Sequence, residues 1–330
     1  MAPRVVERLG IPVVPWRELE GSDRLAAWRA NVGEPVALDL APPRSLGAVT
    51  GLTVLSWNLW IGRGRLGDVV ALVRETTSAP LVVLVQEAYR AEAGLPARPA
   101  GRTARRVARR AAGGHRQGPH LRTDIVETAH ALGLNLRYVP SMRNGTAASD
   151  RGNAILSELP LENARAFELP LVLQRRVPVM ATVPLPDGPV QFVSAHLDPR
   201  GPPGGAWLGV AGRTRQAAHL LEQVRGDVTV LGADLNLARG RREPAWRLLH
   251  DAAFASGVPP VLPAWRHTFH AMPRLVLDHL LVRDRTGRIA HARVERLDEH
   301  PRDRGPSVFG SDHHPLLAAL HLRADEERDA

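Results

Sequence analysis

The two stretches LTVLSWN (residues 52–58) and LVVLVQE (residues 81–87) decide the fold class. Each is a short apolar run rich in β-branched residues, and such a run predicts a buried β-strand. Residues 68–75 between them have the pattern of a helix, so the order is strand, helix, strand. That order indicates a layered α/β architecture. The first run ends on Asn58 and the second on Glu87, and both residues can bind a metal.

Strand-like runs recur along the rest of the chain, and few long helices separate them. This pattern predicts packed sheets with helices outside. Short helices are predicted at residues 23–32 and 123–132. The further predicted strands cover residues 136–139, 153–156, 177–183, 190–196, 228–231, 275–282 and 316–322.

The chain of 330 residues fits one main domain, because a large β-rich sandwich can reach this length. Residues 1–50 are interpreted as an N-terminal extension and residues 51–325 as the main, catalytic domain. Residues 91–120 are rich in Gly, Pro, Ala and Arg and are interpreted as a basic surface insertion. The alternative for this insertion is a loop or helix that binds phosphate.

Composition excludes several classes of chemistry. Without cysteine, the chain has no disulfides, no thiolate zinc site and no cysteine nucleophile, so any metal must use oxygen and nitrogen ligands. All basic residues other than histidine are arginines, and the net charge of +9 favours a polyanionic partner such as nucleic acid, an anionic membrane surface or a phosphorylated small molecule. No signal-peptide core or membrane-spanning run is evident. A cytoplasmic monomer without stable membrane insertion is therefore expected, and protein partners are unknown.

Polar residues that can bind metals or move protons stand repeatedly at the ends of predicted strands. A single Asp or Asn after a strand is usually a turn former, but several strand ends together can present side chains to one rigid cleft. Asp278 differs because it is flanked by LVL and HLL, so its carboxylate would be buried and would need a partner, for which a histidine is suited. The full set is Asn58, Glu87, His196, Asp234, Asn236, Asp278, Asp312 and His313.

Seven short motifs follow one another along the chain: WN (57–58), QE (86–87), RGNAILS (151–157), AHL (195–197), GADLN (232–236), LDH (277–279) and SDHHP (311–315). In this order they resemble the signature of the endonuclease/exonuclease/phosphatase superfamily, over about residues 52–322. The group includes DNase I-like nucleases, neutral sphingomyelinases and inositol-polyphosphate phosphatases. The resemblance implies a four-layered α/β sandwich, in which two mainly antiparallel sheets pack face to face with helices outside.

The resemblance also implies hydrolysis of a phosphoester with the help of a divalent metal. Glu87, helped by Asn58 and Asp312, would hold Mg²⁺ or Mn²⁺, and hard cations do prefer oxygen ligands. The metal would polarise the phosphoryl group.

Protons and phosphate oxygens would be handled by a second group of residues. His313 would act as a general base oriented by Asp278, because an imidazole titrates near neutrality and a carboxylate fixes its tautomer. Either His313 or Asp234 would take the proton of the attacking water. The remaining implied roles are orientation of nucleophile and phosphate by Asp234 and Asn236, donation to phosphate by His196, and substrate positioning by Asn153 and Arg151. Glu127 is a weak candidate for the carboxylate that pairs with His196.

Three functions compete at this level. The leading interpretation is a nuclease acting on DNA, which the arginine excess and the basic insertion favour. The alternative is a hydrolase of phospholipids, like a sphingomyelinase, or of inositol phosphates and other metabolites, with the segment around Trp207, Leu208 and Val210 as its candidate membrane contact. An inactive binding module with the same fold is disfavoured, because a binder need not keep both a metal carboxylate and an Asp/His pair.

Overall fold

A computed structural model describes residues 10–17, 24–47, 49–91, 94–95, 122–201, 208–256, 267–272, 274–299 and 307–323. The predicted basic insertion lies almost entirely outside the described residues, and so does Trp207. Within the described part, the strands form two sheets of seven. We call them sheet 1 and sheet 2.

Strands and helices are numbered in chain order. The strands are β1 (Val13–Val14), β2 (Val36–Leu38), β3 (Gly51–Asn58), β4 (Leu81–Arg90), β5 (Asn135–Arg143), β6 (Asp150–Ser157), β7 (Glu162–Phe167), β8 (Val179–Leu185), β9 (Gly188–His196), β10 (Val228–Asp234), β11 (Ala255–Ser256), β12 (Asp278–Asp284), β13 (Ile289–Arg296) and β14 (Leu316–Leu322). The α-helices are α1 (Ala26–Arg29), α2 (Leu66–Thr76), α3 (Ile125–Leu132), α4 (Val210–Gln223) and α5 (Pro244–Asp251).

Most neighbouring strands are antiparallel, but each sheet contains a parallel pair near its centre. Sheet 1 has the order β1-β7-β8-β9-β10-β12-β11 with β9 parallel to β10, and sheet 2 has the order β13-β14-β3-β4-β6-β5-β2 with β3 parallel to β4. Asn58 at the end of β3 donates a hydrogen bond to Asp234 at the end of β10 (Nδ2–Oδ2 2.9 Å). The carboxyl ends of both parallel pairs therefore meet at one end of the sandwich.

The core explains why the apolar runs are continuous rather than alternating. Along β4, Val82 and Leu84 pack in the core between the two sheets, whereas Leu81, Val83 and Val85 pack against the outer helices. A strand that is buried on both faces needs apolar residues at every position. Helices α2 and α3 cover sheet 2, and α4 and α5 cover sheet 1. The predicted four-layered α/β sandwich with two mainly antiparallel sheets is confirmed.

Local sequence signals account for the helices that were predicted. Helix α3 begins after Asp124, whose side chain accepts hydrogen bonds from the backbone of Val126 and Glu127, and it ends before Gly133 at φ 63°. An Asp N-cap and a left-handed glycine are the expected helix ends. The helix predicted at 23–32 is shorter, because only Ala26–Arg29 are helical in the described part. None of the described helices has the length and apolarity needed to cross a bilayer.

Two sequence predictions about strands need correction. The strand predicted at 275–282 begins only at Asp278. Before that point the backbone is bound by a side chain, because the Oγ1 atom of Thr268 accepts hydrogen bonds from the N–H groups of Leu277 and Asp278 (2.9 Å each). Strands β1, β2, β7, β11 and β13 were not predicted. β1 and β2 lie before residue 51 and pair with β7 and β5. The division into a 1–50 extension and a 51–325 domain stays a prediction.

Candidate active site

Three of the predicted site residues form a row across sheet 1. Asp234 is the last residue of β10, and it is in register with His196 on one side and with Asp278 on the other. The Nε2 atom of His196 lies 3.2 Å from the Oδ2 atom of Asp234. This carboxylate therefore meets both Asn58 of sheet 2 and His196 of sheet 1, and it joins the two sheets at the site.

His313 completes this group from the segment that precedes β14. Its Nδ1 atom lies 2.7 Å from the Oδ2 atom of Asp278, and its Nε2 atom lies 4.0 Å from Asp234. The backbone of His313 is fixed as well, because its N–H donates to the Oγ of Ser311 and its carbonyl accepts from Trp57 Nε1 (2.8 Å). The imidazole is thus held by a buried carboxylate on one side and presents Nε2 to Asp234 on the other.

Glu87 reaches the site through an irregularity in β4. The pairing of β4 with β6 shifts register between Val85 and Ala88, and Glu87 has a positive φ of 52°. A non-glycine residue rarely adopts this conformation, and such residues concentrate at functional sites. Gly152 on β6 pairs with Ala88, directly after the bulge, and a Cβ there would collide with the carbonyl oxygen of Val139 on β5. The bulge therefore turns the Glu87 side chain out of the ladder, and the glycine leaves room for the close packing beside it.

The carboxylates fit a divalent cation. The Oδ1 atom of Asp312 is buried with no hydrogen-bond partner in the described part of the chain. Burial raises the pKa of Asp312 to about 6, which His313 opposes and the negative charge of Glu87 reinforces. Two carboxylates that repel each other, one of them carrying an orphan oxygen, together with the amide oxygen of Asn58, match the all-oxygen ligand set of Mg²⁺ or Mn²⁺.

The other titratable groups of the site are strongly perturbed. Burial raises the pKa of Asp234 to about 7, and the charge of Asp278 adds to that effect while His313 and Asn58 oppose it. Burial alone would lower the pKa of His313, but Asp278, Asp234 and Asp312 raise it to about 10. The pKa of His196 is well below its ordinary value because of burial and the nearby Arg176. His196 is therefore a neutral imidazole that can donate one hydrogen bond.

An arginine-lined cleft opens beside this group. Its lining residues are Glu87, Ser141, Met142, Arg151, Gly152, Asn153, Arg176 and His196. Asn153 is fixed by donating to the carbonyl of Val177 (2.8 Å), and Arg151 donates to Asn144 (3.2 Å). The cleft is small, about 10 Å³, and it brings two arginines next to the carboxylate of Glu87. Arginine is the side chain best suited to bind phosphate oxygens.

Sequence reasoning missed Arg176. Its guanidinium is held by Asp198 (Nε–Oδ1 3.1 Å) and Gln174 (Nη2–Oε1 2.8 Å). The neighbouring Arg175 instead binds Glu168 (2.6 Å). The only sequence signal was the pair of arginines before β8, and the sequence does not tell which of the two faces the cleft.

Some residues named from the sequence lie elsewhere or act differently. The amide of Asn236 donates to the carbonyl of Leu197 (3.0 Å), so it braces the turn after β10 as well as standing beside Asp234. Glu127 is exposed on α3 and is not the partner of His196. Arg213 on α4 is buried in an ion pair with Glu243 (2.8 Å) and does not face the cleft.

Comparison with known proteins supports the fold and gives the family. No curated protein matches the chain. Among solved structures, it is similar to an endonuclease/exonuclease/phosphatase family protein from Leptotrichia buccalis (11% identity, 83% of this chain and 100% of the other, TM-score 0.55). It is also similar to sphingomyelinase C from Streptomyces griseocarneus (19%, 82% and 99%, 0.51) and to a humanized D. rerio TDP2 (14%, 82% and 99%, 0.51). Residues 55–313 match the Endonuclease/Exonuclease/phosphatase family, and the chain therefore belongs to that family.

Proposed function

We propose that this chain is a divalent-metal-dependent phosphodiester hydrolase and that its substrate is DNA. One observation carries the hydrolase assignment. The Asp278–His313 pair points its free imidazole nitrogen towards Asp234, at the same end of the sandwich as the carboxylates of Glu87 and Asp312. A proton-transfer group and an oxygen-rich cation site in one cleft are what hydrolysis of a phosphoester needs.

Each residue has a task that its contacts support. Asp278 fixes the tautomer of His313 so that Nε2 faces the reaction site. His313 and Asp234 hold the attacking water between them. Asp234, whose pKa is about 7, accepts its proton, and His313, whose pKa is about 10, faces the site as the charged donor. His196, as a neutral donor, binds a phosphate oxygen, as do Arg151 and Arg176. A cation held by Glu87, Asp312 and Asn58 would neutralise charge that develops on the phosphate.

Charge supports a nucleic-acid substrate. Arg151 and Arg176 line the cleft, and Arg63 lies near the carboxylates with its guanidinium 4.0 Å from the ring centroid of Trp60. With a net charge of +9, the chain attracts long polyanions as well as single phosphate groups. A chain of phosphodiesters can use several of these arginines at once.

A second candidate is a phospholipid phosphodiesterase. It is favoured by the similarity of the fold to a sphingomyelinase C. The chemistry at the phosphorus atom would be the same, because both substrates are phosphodiesters. Only the groups that contact the rest of the substrate would differ.

The deciding experiment compares hydrolysis of plasmid DNA, sphingomyelin in detergent micelles and inositol phosphates, with Mg²⁺, with Mn²⁺ or with EDTA. The variants are His313→Ala and Glu87→Ala. Matched controls are His250→Ala and Glu222→Ala, whose side chains are 72% and 69% exposed. We expect metal-dependent DNA cleavage that both site variants lose and both controls keep. Turnover of sphingomyelin alone would replace DNA by a lipid, and inactivity on all substrates would overturn the hydrolase assignment.

A further inference from the structure

A second cluster of potential metal ligands lies next to residues 311–315, the segment that carries Asp312 and His313 and that we call the catalytic segment. The ring nitrogens of His267, His270 and His314 lie within 4.8 Å of one another. The Nδ1 atom of His270 and the Nε2 atom of His314 are hydrogen-bonded at 3.2 Å. The three rings are not stacked, since His314 is inclined by 86° to His267 and by 57° to His270. His267 and His270 are inclined by 37° to each other, so the three rings lie in three different planes.

A carboxylate orients one of these imidazoles. The Nδ1 atom of His314 lies 2.9 Å from the Oδ1 atom of Asp298, so its proton is on that side and the lone pair of Nε2 faces His270. Arg296 binds the second oxygen of Asp298 (2.8 Å) and the carbonyl oxygen of His267 (2.7 Å). Histidine ligands of metals almost always donate their other ring N–H in this way.

We propose that His267, His270 and His314 form a zinc site that is separate from the magnesium or manganese site of the active centre. Three imidazoles without a carboxylate ligand favour zinc, whereas magnesium and manganese prefer oxygen. Tetrahedral zinc places its ligand nitrogens about 3.4 Å apart, given Zn–N bonds of about 2.0–2.1 Å. His270 and His314 are 3.2 Å apart, close to that separation, and zinc would replace the hydrogen bond between them. The ligand nitrogen of His267 lies within 4.8 Å of the other two and would have to approach them. A water molecule takes the fourth position.

Zinc at this site would hold the catalytic segment against residues 267–270. The backbone N–H of His270 donates to the carbonyl of Asp312 (2.7 Å), and that of His314 donates to the carbonyl of Thr268 (2.8 Å). Phe269, between the two histidines of this turn, packs its ring 4.9 Å from that of His313. Cross-linking residues 267–270 to His314 therefore holds the peptide that carries Asp312 and His313.

Direct zinc titration tests the proposal. Protein freed of metal is titrated with Zn²⁺ against a chromophoric chelator, in excess Mg²⁺ to keep the active centre occupied. The variants are His267→Ala/His270→Ala, the exposed pair His250→Ala/His291→Ala as control, and Glu87→Gln. We expect the wild type, the control and Glu87→Gln to bind one zinc ion more than the double variant. Zinc should also raise the melting temperature of all except the double variant.

The single change Asp298→Asn tests the zinc site even if the double histidine variant does not fold. It leaves all three imidazoles in place and should weaken zinc binding about 10- to 100-fold, as removal of an outer-shell partner does. Equal zinc stoichiometry and affinity in the wild type and the His267/His270 variant would overturn the proposal. So would loss of the zinc ion in Glu87→Gln, because the ion would then belong to the active centre. Neither outcome depends on whether the chain hydrolyses DNA.

Discussion

Two consecutive histidines, His313 and His314, make the same bond in opposite surroundings. Each has its Nδ1 atom close to a carboxylate, at 2.7 Å from Asp278 and 2.9 Å from Asp298. The side chain of Asp278 is 2% exposed and that of Asp298 is 45% exposed. The Nε2 atom of His313 faces carboxylates, whereas that of His314 faces another imidazole.

The difference shows that a histidine–carboxylate pair does not define a function by itself. An imidazole that faces acidic groups in a buried cleft can exchange protons with water held there. An imidazole that faces other imidazoles can only share a cation with them or form a hydrogen bond. What lies beyond Nε2 distinguishes a proton-transfer group from a metal ligand.

The largest expected contrast is in turnover. His313→Gln should lower kcat on the substrate that is cleaved by about 10³-fold, because general acid–base groups contribute on the order of 10²–10⁴. His314→Gln should lower it less than about 10-fold, since its ring does not reach the reaction site. Steady-state kinetics on both purified variants measures this. Equal losses would mean that the two histidines act as one unit.

Replacing Asp278 should lower kcat more than replacing Asp298, as with the two histidines that they contact. Asp278→Asn should lower kcat about 10²-fold with KM nearly unchanged, because Asp278 positions His313 and does not touch the substrate. Asp298→Asn should leave kcat within about 3-fold and weaken zinc instead. A rise in KM without a fall in kcat for Asp278→Asn would contradict its role as a positioning residue.

His279 provides a third case, a buried histidine whose Nε2 has no hydrogen-bond partner among the described residues. Burial lowers its pKa to about 4. The folded state keeps it neutral while the unfolded state binds a proton below pH 6.5, so stability falls as pH drops from 6.5 towards 4. At pH 5 the loss is about 2 kcal/mol. Urea unfolding at pH 7 and pH 5 measures the fall in the free energy of unfolding. We expect this fall to be smaller by about 2 kcal/mol in His279→Phe than in the wild type, and to be the same in His250→Phe as in the wild type.

The smallest effect concerns stability without zinc. Asp298→Asn should change the free energy of unfolding by less than about 1 kcal/mol, because the Asp298 side chain is 45% exposed and water screens its pairs with His314 and Arg296. Asp278→Asn should change the free energy of unfolding by more, because it removes the negative charge that faces the buried His313. Urea unfolding of both variants at pH 7 in EDTA gives the comparison. Equal changes would show that burial does not separate the two pairs.

Local sequence was sufficient for much of the fold. The apolar runs that became β3 and β4 could be read directly, because a strand buried on both faces is apolar at every position. The helix predicted at 123–132 is α3, and the structure shows that Asp124 and Gly133 set its ends. Short strands such as β1 and β2 were missed because only pairing with a distant edge makes them strands. The family and the architecture rested on motifs whose residues are close together in the sequence, and both predictions are confirmed.

The sequence by itself therefore determined the family, the layered fold and the types of residue at the proposed active site. Only the tertiary structure decided that His196, Asp234 and Asp278 stand in one row, that Arg176 rather than Arg175 faces the cleft, and that His314 joins His267 and His270. The reason is physical. Local propensity depends on neighbours in sequence, whereas contacts between side chains that are far apart in sequence depend on strand register and on the packing of the two sheets.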